Sequence, residues 1–428
     1  MLPARASLFR YGPDDISFAS PSSGLVIFPA LAATALALAL GMRRVAARRF
    51  TESAQKAVAD SSEIIEVSES EIESADHLGS LSTVNIYRGA FGTEALGQLR
   101  SRLHDVLAMN PWLAGQLAPS ARTGARVALY APHALDVHAE DICEIARQYA
   151  VDGGRPAGAH GRSKGKIFKV AALRGKDGVC ALSVSLSHTI ADEHTFYKIY
   201  HMLAGTEPLA RLDVIRHPHA PPRDWAKSGP LAASHIISSL KPGIPVGPLL
   251  LDHAAARAAK AAHIATGEVP FISSTDVLVS ALLNTLSPDV ALMLVNTRGK
   301  PPHVAEATCA GNYYDPLLLC PDESPVTIRW LLGTRTPPRD DLPTLPLSLL
   351  WSLALVSSWR FGPSNFPLIG CEQLAGWPVL RRRIILFTPR ESETAALVLA
   401  PNQDAVAALH SLPIVSGELE MPWPLTAQ

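Results

Sequence analysis

The sequence predicts an α/β protein with room for two domains, and three observations support this. The chain has 428 residues, 47% of them hydrophobic, which is enough to fill more than one core. Residues 182–187 alternate Leu or Val with Ser, which is typical of a strand with one buried face. Phe196, Tyr200 and Leu203 then recur at helical spacing, and Gly205 stands where a helix would end. Strand and helix patterns of this kind occur in both halves of the chain.

The remaining elements follow from the same periodicities. A helix is expected over residues 96–107, because Leu and Val form one face and Pro111 ends it. A second helix is expected up to residue 283, with the trio Ser274-Thr275-Asp276 as its N-cap. Strands are expected at residues 82–87, 167–172, 291–295, 384–387 and 395–399, the last two as an antiparallel hairpin.

Composition excludes several classes of protein. The net charge is −1, 18% of residues are charged and no long basic block is present, so we expect no nucleic-acid partner. The cysteines are odd in number, scattered and without a CxxC pair, which argues against a disulfide framework and a structural zinc site. Unpaired cysteines are more typical of a protein in a reducing compartment. The cysteines are Cys143, Cys180, Cys309, Cys320 and Cys371.

The N-terminal segment, residues 1–50, contains an uncharged run at residues 24–41. As a helix these eighteen residues would span about 27 Å, just enough for a bilayer core. Arginines follow at 43, 44, 48 and 49, which predicts a membrane anchor with the rest of the chain on the cytoplasmic side. An organelle-targeting segment and a buried core helix are the alternatives.

Four further segments complete the predicted organisation. Residues 51–78 are rich in Ser and Glu, which predicts a disordered, solvated linker. An N-terminal domain is expected at 79–206 and a C-terminal domain at 261–428. The proline-rich residues 207–260 between them predict an irregular crossover. His217 lies there with His219, but no carboxylate and thiol cluster accompanies these two histidines, so we expect plain loop residues and no metal.

A histidine and an aspartate stand between the central strand and its helix, in the segment His188-Thr-Ile-Ala-Asp192. A strand behind a histidine fixes the direction of its side chain, so that it can be aimed into a cleft. With an ordinary pKa near about 6.5, imidazole accepts a proton at neutral pH. His188 is therefore a candidate general base. A metal hydrolase built on His188, Asp192 and His194 is a poorer interpretation, because no third-ligand pattern accompanies them.

The segment SHTIAD, followed by an aromatic helix, resembles the H-x-x-x-D segment of the chloramphenicol acetyltransferase-like superfamily. The closest resemblance is to its BAHD-type, acyl-CoA-dependent acyltransferases. Further local matches follow in the family's order from residue 79 to the end. They are the L-x3-L…P-x-L-A-G ending at 103–117, the S-x-x-D helix at 271–283, v-d-v-R-g-R at 296–300, G-N at 311–312 and T-S-W at 357–359.

The resemblance implies two chloramphenicol acetyltransferase-like domains, each a mixed sheet flanked by helices, with the active-site channel between them. It implies acyl transfer from a CoA thioester to a hydroxyl or amine of a small, lipophilic acceptor. Acyl-CoA would be a co-substrate, with no bound cofactor and no metal, and the protein would be a monomer.

The resemblance also assigns residue roles. His188 would be the general base, and the Ser357 hydroxyl and Trp359 indole N–H would stabilise the oxyanion. Asn312 would be structural at the site. Asp192 would pair with Arg298, within about 4 Å, and so tie the histidine segment to the other half of the chain.

Two departures from the family pattern favour an alternative, a degenerate member that only binds a small lipophilic ligand. The family has Gly after the Asp, whereas this chain has Glu193. A positive φ at that position would cost Glu about 1–2 kcal/mol. The family's D-F-G-W-G segment is also missing after Trp359.

Overall fold

The structure is a computed structural model, and it describes the chain in separate ranges that all lie in one compact unit, residues 54–428. The described ranges are 63–67, 80–119, 127–131, 143–145, 151–152, 155–156, 167–174, 179–217, 243–264, 269–300, 305–334, 353–378, 384–390 and 392–419. The predicted membrane helix at residues 24–41 lies outside them. Within these ranges, no helix is both long and apolar enough to cross a bilayer.

Both halves of the chain contain helices and strands, as expected of an α/β protein. The strands are β1 (Glu63–Glu66), β2 (Ser80–Arg88), β3 (Gln116–Pro119), β4 (Val127–Ala131), β5 (Cys143–Ile145), β6 (Val151–Asp152), β7 (Arg155–Pro156), β8 (Phe168–Arg174), β9 (Val179–Ser187), β10 (Ile244–Leu251), β11 (Val290–Asn296), β12 (Tyr314–Leu319), β13 (Leu353–Pro363), β14 (Glu372–Pro378), β15 (Ile384–Thr388), β16 (Ala395–Ala400) and β17 (Val415–Glu418). The helices are α1 (Thr93–Met109), α2 (Glu193–Ala204), α3 (His253–Ile264), α4 (Ser274–Leu286), α5 (Pro325–Thr334) and α6 (Gln403–His410), with a 3₁₀ turn at Pro111–Ala114.

The first main sheet has five strands in the order β14-β2-β9-β8-β5. Its centre is antiparallel: β2 pairs with β9 over its whole length, and β8 pairs with the other edge of β9. Apolar side chains of β2, β8 and β9 share a core with those of α1 and α2. Strand β14 comes from the C-terminal half of the chain but pairs with β2, so the first sheet contains residues from both predicted domains.

The second main sheet has seven strands in the order β12-β11-β13-β15-β16-β10-β17. Its middle strands β11, β13 and β15 run parallel, and antiparallel strands flank them. Parallel strands at the centre of a sheet are buried on both faces, which explains apolar runs such as Ile384–Thr388. Apolar side chains of α3, α4, α5 and α6 share the second core with this sheet. The two mixed sheets with helices confirm the predicted fold class.

The elements predicted from periodicity are present. The central strand is β9 and the helix after it is α2, whose Phe196, Tyr200 and Leu203 are buried. Gly205 ends α2 at φ 73°, the left-handed region that glycine enters without strain. Helix α4 begins at Ser274, and its N-cap is Ser273, one residue before the predicted trio; Ser273 forms a capping box with Asp276.

Two segments predicted to be irregular contain strands. Within the predicted linker 51–78, the described residues 63–67 include β1, which pairs with β4. Ile65 and Val67 are buried in the first core, and this burial offsets the ordering of an otherwise polar stretch.

Within the predicted crossover 207–260, residues 244–251 form β10 and 253–264 form α3. Proline lacks the N–H that a ladder needs, and the register of β10 shifts between Val246 and Leu249, around Pro248. This bulge allows a proline-containing segment to occupy an inner position of the sheet, between β16 and β17.

Candidate active site

His188 follows the last residue of β9 and is fully buried. Its Nδ1 lies 3.2 Å from Oδ1 of Asn312. The amide nitrogen of Asn312 donates to the backbone carbonyls of His188, at 2.9 Å, and of Thr189, at 3.3 Å. Because the amide nitrogen is directed at these carbonyls, Oδ1 is the acceptor and His188 Nδ1 is the donor. In the neutral ring the lone pair is therefore on Nε2, the atom that a general base uses.

Asp192 is the N-cap of α2 and at the same time the partner of Arg298. Its Oδ1 accepts from the backbone N–H of Thr195 at 3.0 Å. Arg298 Nη1 donates to Oδ2 at 2.6 Å and Nη2 donates to Oδ1 at 3.1 Å, a bidentate pair. The backbone N–H of Tyr313 also donates to Oδ2, at 3.0 Å. The predicted contact between Asp192 and Arg298 is present.

The Asp192 carboxylate remains ionised despite its burial. Burial acts to raise its pKa, but the attraction of Arg298 and the hydrogen bonds from Arg298, Thr195 and Tyr313 outweigh it, so the pKa is held below its usual range. Arg298 in turn donates to the carbonyls of Cys309, at 2.9 Å, and Gly311, at 2.9 Å. The pair therefore fastens the start of α2, directly after His188, to the segment that carries Asn312.

Glu193 enters the site with its side chain. It is the first residue of α2, and the non-glycine residues with positive φ in the described ranges are Ser287 and Ser392, so Glu193 carries no left-handed strain. The expected backbone cost is therefore wrong, because a helical φ suits any residue. The Glu193 carboxylate is buried, with Oε1 at 3.9 Å from His188 Nε2. A carboxylate is favoured here by the helix N-terminus.

Ser357 lies in β13, a strand of the second main sheet, and is that sheet's contribution to the group around His188. Its hydroxyl donates to Glu193 Oε1 at 3.0 Å and is buried. The structure thus joins His188, Glu193 and Ser357 through one carboxylate oxygen. The backbone of Trp359 lies in the same strand, beside Phe387, but its side chain is outside the described part of the structure, and its role stays a prediction.

A small cavity of about 20 Å³ adjoins this group. That is room for about one water molecule, whereas pockets for small molecules measure about 300–1,000 Å³. The cavity is lined by Asp192, Glu193, His194, Leu294, Asn296, Tyr314, Ser357 and Ser358. A substrate therefore reaches this point only if lining side chains move, and Glu193 projects into it from a helix end.

His188, Asp192 and His194 do not converge on one point. Asp192 faces Arg298, His188 Nδ1 faces Asn312, and His194 Nε2 lies 3.0 Å from the carbonyl of Ala307. Burial, followed by the repulsion of Arg298, lowers the pKa of His194, so the ring is neutral and donates to that carbonyl. This arrangement argues against the metal hydrolase that these residues would form.

No protein-family model and no curated protein matches this sequence. Solved structures do share its fold. The F. sporotrichioides TRI101 complex with coenzyme A and T-2 has a TM-score of 0.54 at 14% identity, covering 82% of this chain and 98% of that one. Vinorine synthase has a TM-score of 0.53 at 14% identity, covering 83% and 95%. Polyketide synthase associated protein 5 from Mycobacterium tuberculosis has 0.50 at 17%, covering 81% and 95%.

These likenesses establish the fold: two mixed sheets flanked by helices, as in the TRI101 and vinorine synthase structures. At such identities they leave the reaction open. Sequence reasoning missed that Glu193 accepts the Ser357 hydroxyl, although both residues were singled out. The sequence did contain a sign of this contact. Glu193 directly follows the N-cap Asp192, so it lies in the first turn of the helix that begins at the site.

Proposed function

We propose that this chain is an acyltransferase that moves an acyl group from a CoA thioester to a hydroxyl or amine of a small, lipophilic acceptor. The observation that carries the proposal is the orientation of His188. Its Nδ1 donates to Asn312, so the basic Nε2 faces Glu193, whose Oε1 is 3.9 Å away and whose side chain lines the cavity. This is the arrangement of a general base in a fold whose solved relatives include complexes with coenzyme A.

The reaction has two proton transfers, and His188 performs both. Nε2 takes the proton from the acceptor hydroxyl or amine as its O or N attacks the thioester carbonyl carbon. When the tetrahedral intermediate collapses and the C–S bond breaks, the same nitrogen returns the proton to the CoA thiolate. Asn312 is a positioning residue in this scheme, because it keeps Nδ1 protonated and Nε2 available.

The oxyanion of the intermediate needs hydrogen-bond donors, and Ser357 and Trp359 are the proposed ones. The Ser357 hydroxyl donates to Glu193 in the resting structure. Its hydrogen reaches an oxyanion only after Glu193 rotates away. The same rotation enlarges the small cavity. The movement that admits the substrate therefore also makes the Ser357 hydroxyl available to the oxyanion.

The acceptor class and the location of the enzyme are part of the proposal. The cavity has a mixed lining, in which Leu294 and Tyr314 accompany polar and charged side chains, so the lipophilic character of the acceptor rests on the proposed membrane anchor and not on the cavity. Residues 24–41 are proposed to anchor the protein in a membrane, with the body on the cytoplasmic side. A lipophilic acceptor dissolved in that membrane would then reach the enzyme directly.

A second function is favoured by one observation, the position of Glu193. Its carboxylate lies between His188 Nε2 and the Ser357 hydroxyl, where the reacting atoms would be. If Glu193 keeps this position while other lining side chains move to admit a ligand, the protein binds a small lipophilic ligand without acyl transfer.

The decisive experiment measures thiol release. The purified protein is incubated with a panel of acyl-CoA thioesters and acceptors, the freed thiol is titrated, and the acylated product is detected by mass spectrometry. Thiol release that requires an acceptor and is lost in His188→Ala supports acyl transfer. Ligand binding by calorimetry without any thiol release supports the second function.

A further inference from the structure

Two chain segments that are far apart in sequence meet beside the Arg298 contacts. Asp213 lies in the segment after α2, and Cys309 lies in the segment before β12. They form a parallel β-bridge, in which Asp213 N–H donates to Thr308 O at 2.9 Å and Ala310 N–H donates to Asp213 O at 2.6 Å. The backbone pairing therefore holds the side chains of Asp213 and Cys309 close to each other.

A third side chain reaches the same point. His217 Nε2 lies 3.3 Å from Asp213 Oδ2, and the backbone N–H of His217 donates to the Tyr313 hydroxyl at 3.0 Å. One nitrogen, one carboxylate oxygen and the Cys309 sulfur all lie within 4.8 Å of one another. From these contacts we propose that Asp213, His217 and Cys309 bind a divalent transition-metal ion of the Zn²⁺ class.

The environment of the sulfur fits a metal ligand. Cys309 is only 4% exposed, and the backbone N–H of Glu306 donates to its Sγ at 3.2 Å. The metal-binding form of cysteine is the thiolate, which accepts such a hydrogen bond more strongly than a thiol does.

The donor set selects the kind of metal. A thiolate with an imidazole and one carboxylate suits Zn²⁺ or Co²⁺, whereas Mg²⁺ and Ca²⁺ require oxygen ligands. Zn–N of about 2.0 Å and Zn–S of about 2.3 Å put tetrahedral ligand atoms roughly 3.3–3.8 Å apart. The His217 and Asp213 atoms are already at that spacing. Their side chains are 29% and 39% exposed, which leaves the fourth position to water and the ion an entry path.

The position of the site defines its role. Arg298 Nε donates to the carbonyl of Cys309, and the N–H of Asp192 donates to the carbonyl of Gly311 two residues further on. A metal at Cys309 would cross-link the segment after α2 to the segment that holds the Asp192–Arg298 pair. The ion would stabilise the frame of the site without touching the reacting atoms.

The test uses full-length protein, purified without a histidine tag and freed of metal with a chelator. Co²⁺ should give a thiolate-to-cobalt charge-transfer band that saturates at one ion per chain. Zn²⁺ should abolish this band and raise Tm. Cys309→Ser should lose the band, whereas the control Cys320→Ser should keep it. His217→Ala should weaken Zn²⁺ binding at least tenfold against a chelating dye.

Cys309 is buried, so Cys309→Ser could lose the band by misfolding. His217 is partly exposed, so His217→Ala tests the same site with less disturbance of the fold. Circular dichroism verifies the fold of both variants. Absence of the band in the wild-type protein would overturn the proposal. So would a band that survives in Cys309→Ser, or Zn²⁺ affinity that is unchanged in His217→Ala. In each of these cases Asp213 and His217 form only a hydrogen-bonded surface pair.

Discussion

Asp192→Asn is expected to destabilise the protein strongly, because it leaves the Arg298 guanidinium buried without its counter-charge. The side chains of Asp192 and Arg298 are 4% and 2% exposed. Breaking a buried ion pair by removing one partner costs about 3–5 kcal/mol, since the other charge stays desolvated. The asparagine keeps the shape of the side chain and an oxygen for the Thr195 N–H, so the loss reports the charge and not the helix cap.

Urea unfolding followed by circular dichroism measures this loss. The matched control is Glu372→Gln, which breaks the ion pair with Arg88 at 2.7 Å on the surface, where both side chains are about two-thirds exposed. Such exposed pairs contribute at most about 1 kcal/mol. A double variant, Asp192→Asn with Arg298→Met, should be less destabilised than the sum of the single variants by about 0.5–3 kcal/mol.

The contribution of Asp192 to the free energy of unfolding changes with pH in a definite direction. The folded-state pKa of Asp192 lies below its unfolded value of about 3.9, so its contribution is fully present above that value. It is lost as the pH falls through the folded-state pKa. The difference in stability between wild-type protein and Asp192→Asn should therefore be constant from pH 7 to about pH 5 and shrink in stronger acid. A variant within 1 kcal/mol of wild type, or an additive double variant, would refute the reasoning.

Three further predictions concern the site and the N-terminal segment. His188→Ala should keep the fold and lower turnover, measured by thiol release, at least about 10²-fold, and Ser357→Ala should lower it less. Wild-type turnover in His188→Ala would exclude His188 as the general base. Glu193→Gly should increase thiol release, because it removes the carboxylate that accepts the Ser357 hydroxyl and enlarges the cavity. Slower release would instead show that Glu193 assists the reaction. The full chain should stay with membranes after a carbonate wash, whereas a chain beginning at residue 54, the start of the compact unit, should not; release of the full chain would contradict the anchor at 24–41.

The local elements around the site follow from the sequence alone. Alternation in residues 182–187 and helical spacing after Asp192 depend only on neighbours in the chain, and β9 and α2 follow them. The resemblance to a known family added the contact of Asp192 with Arg298, which periodicity does not contain. Pro-rich and Glu-rich composition misled where tertiary burial overrode it, in β10 and β1.

Which side chains meet at the site depends on contacts between distant parts of the chain. Ser357 reaches Glu193 across 164 positions of sequence, and Asn312 reaches His188 across 124. Likewise, β14 leaves its own half to pair with β2, and Cys309 comes to lie beside Asp213. Sequence does not give these contacts, because periodicity shows only which face of an element is buried. The partner of that face is set by how distant elements pack together, and the chemistry of this site depends on such partners.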